Sequence, residues 1–243
     1  MRLHEFRVLT FDCYGTLIDW ESGLFAALQP LLGRARIAQP RDDVLATFAQ
    51  HESRQEAATP AMKYSDLLAE VHGQLACAWD VAPDAAESAA FGASVGAWPA
   101  FDDTAAALQY LKRHYKLVIL SNVDRTSFAG SLPRLGVSFD AVFTAQDIGS
   151  YKPDPRNFAY LLEKLAALGI AETDILHTAQ SLFHDHAPAN AAGLASAWID
   201  RRQDAAGWGA TSPPPAGVHY DFRFVSMAEM AAAHRAEVLG SPA

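Results

Sequence analysis

Cysteine is nearly missing from this 243-residue sequence, which carries Cys13 and Cys77 and no others. That excludes a disulfide framework and a four-thiolate zinc site. Long apolar runs are missing too, since none reaches the roughly 20 residues that a membrane-crossing helix needs. The opening residues Met1-Arg2-Leu3-His4-Glu5 lack the apolar stretch of a secretory signal. Positive charge is scarce: 19 Lys and Arg stand against 28 Asp and Glu, for a net charge of -9. Such a chain has no electrostatic footprint for nucleic acid. What remains is ample apolar material, 50% of the residues, enough to build a real core. The expectation is a soluble globular enzyme of the cytoplasm, with neither nucleic acid nor membrane as a partner.

Short apolar runs read as buried strands at Val8–Phe11, Leu117–Leu120, Ala141–Thr144 and Ala195–Ile199, with Ile175–Thr178 as a weaker fifth. Helical patterns at Thr104–His114, Arg156–Leu168 and Ala187–Ala192 lie between them. This alternation predicts a doubly wound, Rossmann-like α/β core built on a parallel sheet. The first two strands are about a hundred residues apart, too many for one crossover. Amphipathic patterns at Gly23–Arg34, Asp42–Glu52, Ser65–Trp79 and Asp84–Val95 fill that interval, with Asp42 and Ser65 as expected N-caps. An inserted helical cap domain follows, residues 18–97, within a core of residues 1–17 and 98–243. Trp98-Pro99-Ala100-Phe101 marks the expected return to the core. Thr211–Gly217, with its Pro213-Pro214-Pro215 run, reads as a surface loop.

In open α/β sheets ligands bind beyond the carboxyl ends of the strands. After the first strand come Asp12-Cys13-Tyr14-Gly15-Thr16-Leu17, and after the second Ser121-Asn122. Beyond the third lies Tyr151-Lys152-Pro153-Asp154-Pro155, and beyond the weak fifth Gln180, Ser181, His184, Asp185 and His186. Carboxylates, hydroxyls, an amide and an ammonium thus converge on one sheet edge. Asp12 is a candidate nucleophile, able to form an ester and split one hard step into two. Gly15 allows a sharp turn beside it. Thr16 can donate its hydroxyl to the carboxylate, Ser121 and Asn122 can orient a bound anion, and Lys152 can keep Asp12 ionised. Cys13 alternates away from Asp12 and reads as core.

These four segments, in this order, resemble the motifs of the haloacid dehalogenase superfamily of hydrolases. Phosphatases of that superfamily place a second aspartate two residues after the nucleophile, where this chain has Tyr14. The run Phe11-Asp12-Cys13-Tyr14-Gly15-Thr16-Leu17 is instead similar to the type II 2-haloacid dehalogenase branch, whose leaving group needs no general acid. The resemblance implies catalytic roles for Asp12, Thr16, Ser121, Lys152 and Asp185, a small carboxylate substrate and no cofactor. It leaves a homodimer open.

Two departures stand out. Ala49 falls where the branch carries a cap arginine, with Arg54 out of register, and the last motif lacks its asparagine, with Ser181 and Asp185 matching in part. Both departures, and the run Asp12–Glu21, bring the chain nearer to azetidine-2-carboxylate hydrolases, which open a strained ring beside a carboxylate. Tyr14, His51, Glu52, Asn122, Ser181 and His184 are then the expected substrate contacts, His51 and Glu52 suiting an ammonium better than a halide. Two alternatives stay open. One is a Mg²⁺-dependent phosphatase with the ion held by Asp12, the Tyr14 carbonyl and Asp185. The other is a binding protein that has lost catalysis.

Overall fold

A computed structural model describes residues 1–203 and 207–240 of the chain. Residues 204–206 and 241–243 of the expected core segment lie outside the described ones. The first strand, β1 (Val8–Phe11), is buried along its whole length. Leu9 and Phe11 join the larger apolar cluster on one face of the sheet, while Val8 joins a second cluster with Val118, Leu120, Phe158 and Leu161 on the other. A strand covered on both faces must read as a continuous apolar run, which is why its pattern does not alternate.

Four helices follow before the chain returns to the sheet: α1 (Trp20–Ala35), α2 (Arg41–Ala58), α3 (Tyr64–Ala78) and α4 (Ala85–Ala93). They coincide with the four amphipathic patterns. Two of the expected caps do not hold. Pro40 and Lys63 occupy the N-cap positions of α2 and α3, so Asp42 and Ser65 lie inside the first turn. Asp42 pairs with Arg202, and the free N–H of Ser65 is taken by Asp124 Oδ2 at 3.2 Å, so tertiary partners replace local capping. Asp19 and Asp84 cap α1 and α4 with their own carboxylates. Helices α3 and α4 approach so closely that a Cβ on Gly92 would lie 2.1 Å from Ser65 O.

The two passages between sheet and inserted helices run side by side. Ile18 bridges Ala100 in antiparallel fashion, Asp19 N–H donates to Pro99 O and Phe101 N–H to Leu17 O. The chain then forms α5 (Thr104–Leu111), β2 (Lys116–Ser121), α6 (Arg125–Leu135), β3 (Ala141–Thr144), α7 (Ala145–Ile148) and α8 (Arg156–Ala166). It ends with β4 (Ile175–Ala179), α9 (Ala187–Ala191), β5 (Ala195–Ile199), β6 (Phe222–Phe224) and α10 (Met227–Gly240). The six strands are parallel, in the order β3-β2-β1-β4-β5-β6. This is the expected doubly wound α/β fold. Strand order reverses between β1 and β4, where such sheets open a crevice for ligands.

Helices α6 and α10 and strand β6 are additions to the sequence reading. Mixed small and polar residues weaken the α6 signal, and β6 is only three residues long. No helix among the described residues is long and apolar enough to cross a membrane. The expected surface loop at Thr211–Gly217 needs correction at its start. Ala210 and Thr211 are buried, because Glu21 of α1 accepts a hydrogen bond from Ala210 N–H and pins the segment inward.

Candidate active site

Asp12 is the first residue past β1, and its N–H still donates to Thr178 O of β4, so it sits at the crevice. The chain must turn there at once. Gly15 does so at φ +102°, and Arg201 holds the turn by donating to Thr16 O at 3.1 and 2.9 Å. Thr16 Oγ1 donates to Asp12 Oδ2 at 2.8 Å and accepts from Gln180 N–H at 2.9 Å. The other oxygen, Oδ1, accepts from Lys152 Nζ at 2.9 Å. Lys152 is 1% exposed, and its ammonium also donates to Asp185 Oδ1 at 2.6 Å and to Leu120 O at 3.0 Å. All three donors of one ammonium are therefore used, two of them on carboxylates.

Asp185 follows β4 on a wide helical turn, Leu182–His186. Its Oδ1 also accepts from His177 Nε2 at 3.0 Å, and His177 Nδ1 lies 2.9 Å from Thr10 Oγ1. The carboxylate can only accept, so His177 donates to it from Nε2. A single chain of hydrogen bonds thus links Thr10, His177, Asp185, Lys152, Asp12 and Thr16.

Burial pushes the Asp12 carboxyl upward, and Asp185 adds to the push against the pull of Lys152. Burial also acts upward on Asp185, but Lys152 and His177 outweigh it and hold that carboxyl well below its usual range. Burial opposes the charge on Lys152, yet the two carboxylates raise its pKa. The outcome is a lysine that stays charged in a dry site.

A small cavity, open to solvent at one side, covers this group. Among its lining residues are Asp12, Tyr14, Ser121, Asn122, Lys152 and Asp185 from the sheet side and Trp20, Glu52, Glu56 and Tyr64 from the inserted helices. Ser121 Oγ and Asp185 Oδ2 are both buried and have no hydrogen-bond partner in the protein. Such atoms are costly unless a ligand or solvent satisfies them.

The structure therefore gathers Asp12, Thr16, Ser121, Lys152 and Asp185 as the motifs anticipated. Of the expected substrate contacts, Tyr14, Glu52, Asn122 and His184 line the cavity. Tyr14 turns its hydroxyl to Ser131 Oγ at 2.8 Å, leaving its ring to form the wall. Asn122 is engaged with the Lys152 main chain: its Nδ2 donates to Lys152 O at 2.9 Å and its Oδ1 accepts from Lys152 N–H at 2.7 Å. The His184 ring is kept neutral by burial, its pKa pushed down to about 4.

Two expected contacts are elsewhere. His51 faces Gln74, 3.2 Å from its Oε1, on the helix flank away from the cavity. Ser181 caps the turn by accepting from His184 N–H at 2.9 Å. The side-chain hydrogen bonds to Asp185 come from Lys152 and His177, and not from His184 or His186. His186 is instead directed to Ser196 and Ala179 O.

Sequence reasoning missed Glu56, His177, Tyr64 and Trp20. For two of them a signal existed. Glu56 is four residues after Glu52 and so shares its helix face, and His177 is a polar residue inside an otherwise buried apolar strand.

The roof of the cavity differs in kind from its floor. Glu52 is 5% exposed and accepts from Tyr64 Oη at 2.6 Å. Burial raises its pKa to about 7 despite that hydrogen bond. Glu56, 9% exposed, receives only a long contact from Asn122 Nδ2 at 3.5 Å. Burial first, and Glu52 second, push its carboxyl well above the usual range.

A bound Mg²⁺ is the ligand that the phosphatase alternative would require, with up to six oxygens around it. Both oxygens of Asp12 are engaged, by Lys152 and Thr16, and Lys152 and His177 share one oxygen of Asp185. Asp185 Oδ2 is the one oxygen of these two carboxylates without a hydrogen-bond partner. Among the described residues no group of three or more His, Cys, Asp or Glu could hold a metal.

Residues 6–195 match the family model described as haloacid dehalogenase-like hydrolase. No curated protein matches the chain. Among solved structures, an L-2-haloacid dehalogenase from Xanthobacter autotrophicus with chloropropionic acid covalently bound is 18% identical. It superposes with a TM-score of 0.76 over 98% of this chain and 100% of that one. A defluorinating L-2-haloacid dehalogenase is 20% identical, with a TM-score of 0.76 over 95% of each chain. A putative hydrolase from Bacillus subtilis, bound to magnesium, is 18% identical, with a TM-score of 0.75 over 97% of this chain and 100% of that one. At these identities the likeness is one of fold.

Proposed function

This chain belongs to the haloacid dehalogenase-like hydrolase family, and from that premise we propose that it hydrolyses a small 2-substituted carboxylic acid through an ester on Asp12. The observation that carries the reading is the buried Asp12–Lys152–Asp185 array, with a nucleophile at one end and an unpartnered carboxylate oxygen at the other. The substrate carboxylate is received by Ser121 Oγ, the unpartnered donor of the floor. An oxygen of Asp12 attacks the α-carbon from the side opposite the leaving group. The new C–O bond forms as the old bond breaks, and its electron pair departs with the leaving group. Water then attacks the Asp12 carbonyl carbon. Asp185, held ionised, accepts a hydrogen bond from that water through Oδ2, and Lys152 faces the negative charge that develops on the ester oxygen. Collapse returns Asp12 and releases a 2-hydroxy acid with inverted configuration. No metal takes part in this scheme, and a chelator is expected to leave the rate unchanged.

Two leaving groups suit the scheme, a halide and the nitrogen of a strained ring as in azetidine-2-carboxylate. The acidic roof favours the second. Glu52 and Glu56 stand over the cavity, and Lys152 is its one permanent cation among the described lining residues. A halide leaving towards the roof would meet no cation there, whereas a ring ammonium would meet carboxyl oxygens that can accept its hydrogen bonds. The test is incubation with azetidine-2-carboxylate and with 2-chloropropionate, followed by a rapid quench and mass analysis of the Asp12 peptide. An adduct on Asp12, and heavy oxygen from labelled water appearing in Asp12 after one turnover, are expected. Turnover with label only in the product would overturn the ester route. Halide release without ring opening would refute the azetidine reading.

A further inference from the structure

Glu52 and Glu56 lie one helical turn apart on α2, both lining the cavity opposite the Asp12–Lys152 pair. Their anchors are neutral: Tyr64 Oη for Glu52 and the Asn122 amide for Glu56. Two buried acids without a cation are unfavourable by themselves, so the pair calls for a positive partner or a shared proton. The cavity offers a second pointer to a ligand, since Ser121 Oγ is 2% exposed, unpartnered and on its floor. A bound molecule with a carboxylate at Ser121 would present its other end to the glutamates. Glu56 also borders an adjoining cleft lined by Tyr151, Asp154, Arg156, Phe183 and His184.

We propose that Glu52 and Glu56 form a subsite for a cationic nitrogen, and that Glu56 is the acid that protonates this nitrogen as it leaves the α-carbon. The inference rests on the function proposed above and assigns the part of the site that the sheet-borne motifs do not supply. When the Cα–N bond breaks, its electron pair stays on nitrogen and the ring NH₂⁺ becomes a neutral primary amine. A proton from the Glu56 carboxyl converts it to an ammonium, which pairs with the carboxylate left behind. Hydrolysis of the Asp12 ester by water then releases one proton, which restores Glu56. Burial favours the protonated form of Glu56 that this sequence of events needs.

Two measurements test it, on the full-length wild type, Glu56→Gln and Glu52→Gln. The first is calorimetric titration with pyrrolidine-2-carboxylate and with cyclopentanecarboxylate, rings of equal size with and without the nitrogen. The wild type is expected to prefer the nitrogen ring by about tenfold or more, the worth of a charge-assisted hydrogen bond to Glu52 beside the protonated Glu56, and Glu52→Gln to erase that preference. The second is the ratio of azetidine ring opening to chloride release from 2-chloropropionate, which should fall by about 10²-fold or more in Glu56→Gln. Both variants remove buried acids, so melting temperatures at or above that of the wild type are expected. Equal affinity for the two rings in the wild type, or an unchanged ratio in Glu56→Gln, would overturn the subsite while leaving Asp12 chemistry intact. Absence of any Asp12 adduct with either reactive substrate would instead strike the function, and the titration would still decide the subsite.

Discussion

The floor and the roof of the cavity each hold two buried carboxylates, and of these four only Asp185 is held below its usual range. On the floor, Asp12 and Asp185 share the ammonium of Lys152, and His177 adds a hydrogen bond to Asp185. On the roof, Glu52 and Glu56 have only a phenol and an amide. Burial raises all four. Asp185, the most deeply buried at 1% exposure, is nevertheless the one held ionised well below its usual range, while the less buried Glu56 is raised well above its own. Depth therefore does not decide the protonation of these acids. The two floor acids share one ammonium, and the negative charge of Asp185 works against Asp12, so one is lowered while the other is raised. In this site of low dielectric Lys152 and His177 together offset desolvation at Asp185, while the ammonium alone does not at Asp12 and the neutral donors of the roof do not at Glu52 and Glu56.

The sharpest break in this comparison is Asp12→Asn. It keeps the shape of the floor and removes the nucleophile, so turnover should fall by more than about 10⁴-fold with no adduct in the mass spectrum. Next is Lys152→Met, which makes the floor resemble the roof. Two uncompensated carboxylates should lower stability by about 3–5 kcal/mol at neutral pH. Part of that loss should return on acidification, as the carboxylates take up protons, in denaturant titrations at several pH values.

Glu52→Gln tests the roof. The folded pKa of Glu52 is about 7, above its ordinary 4.5, so the native state holds this proton longer than the unfolded one. Its stabilisation is present below pH 4.5 and is lost as the pH rises towards 7. That loss amounts to about 3 kcal/mol for a shift of this size, and the variant should lack this slope.

Asn122→Ala removes two hydrogen bonds to the Lys152 main chain and should cost about 1–3 kcal/mol, with a lower kcat because the ammonium is no longer held in place. The smallest effect is expected from Ser181→Ala. Loss of a cap costs about 1 kcal/mol, and KM should not move if Ser181 holds the turn and does not touch substrate.

Much of the floor could be read in advance because each of its residues follows a strand, and strand ends are marked by local composition. Asp12, Ser121, Lys152 and Asp185 each stand at or beyond the end of a short apolar run, and parallel strands must bring those ends to one edge. The roof is different. Glu52 was picked out together with His51, yet only Glu52 faces the cavity. A turn of helix separates neighbouring residues by about 100°, and the weakly amphipathic sequence of α2 does not say which face looks down. Its true partner, Glu56, is legible only once that face is known. Asn122 shows the same limit on the floor, since residue type and position suggested an anion contact, whereas the packing of the loop that carries Lys152 commits its amide to the main chain. His177 was hidden for another reason. A histidine in a buried strand reads as core until its neighbour on the turn after that strand is found to be a carboxylate.

The sequence by itself determined the doubly wound sheet, the helical insert between β1 and β2, and the convergence of an aspartate, a lysine and a second aspartate on one edge. Those follow from apolar periodicity and chain order, which are local and additive along the chain. Only the tertiary structure decided which charges neutralise one another. It placed a single ammonium between the two aspartates and left two glutamates above them without a cation. That outcome depends on distances of a few ångströms between residues far apart in the chain, where Coulomb energy and desolvation are large and opposed.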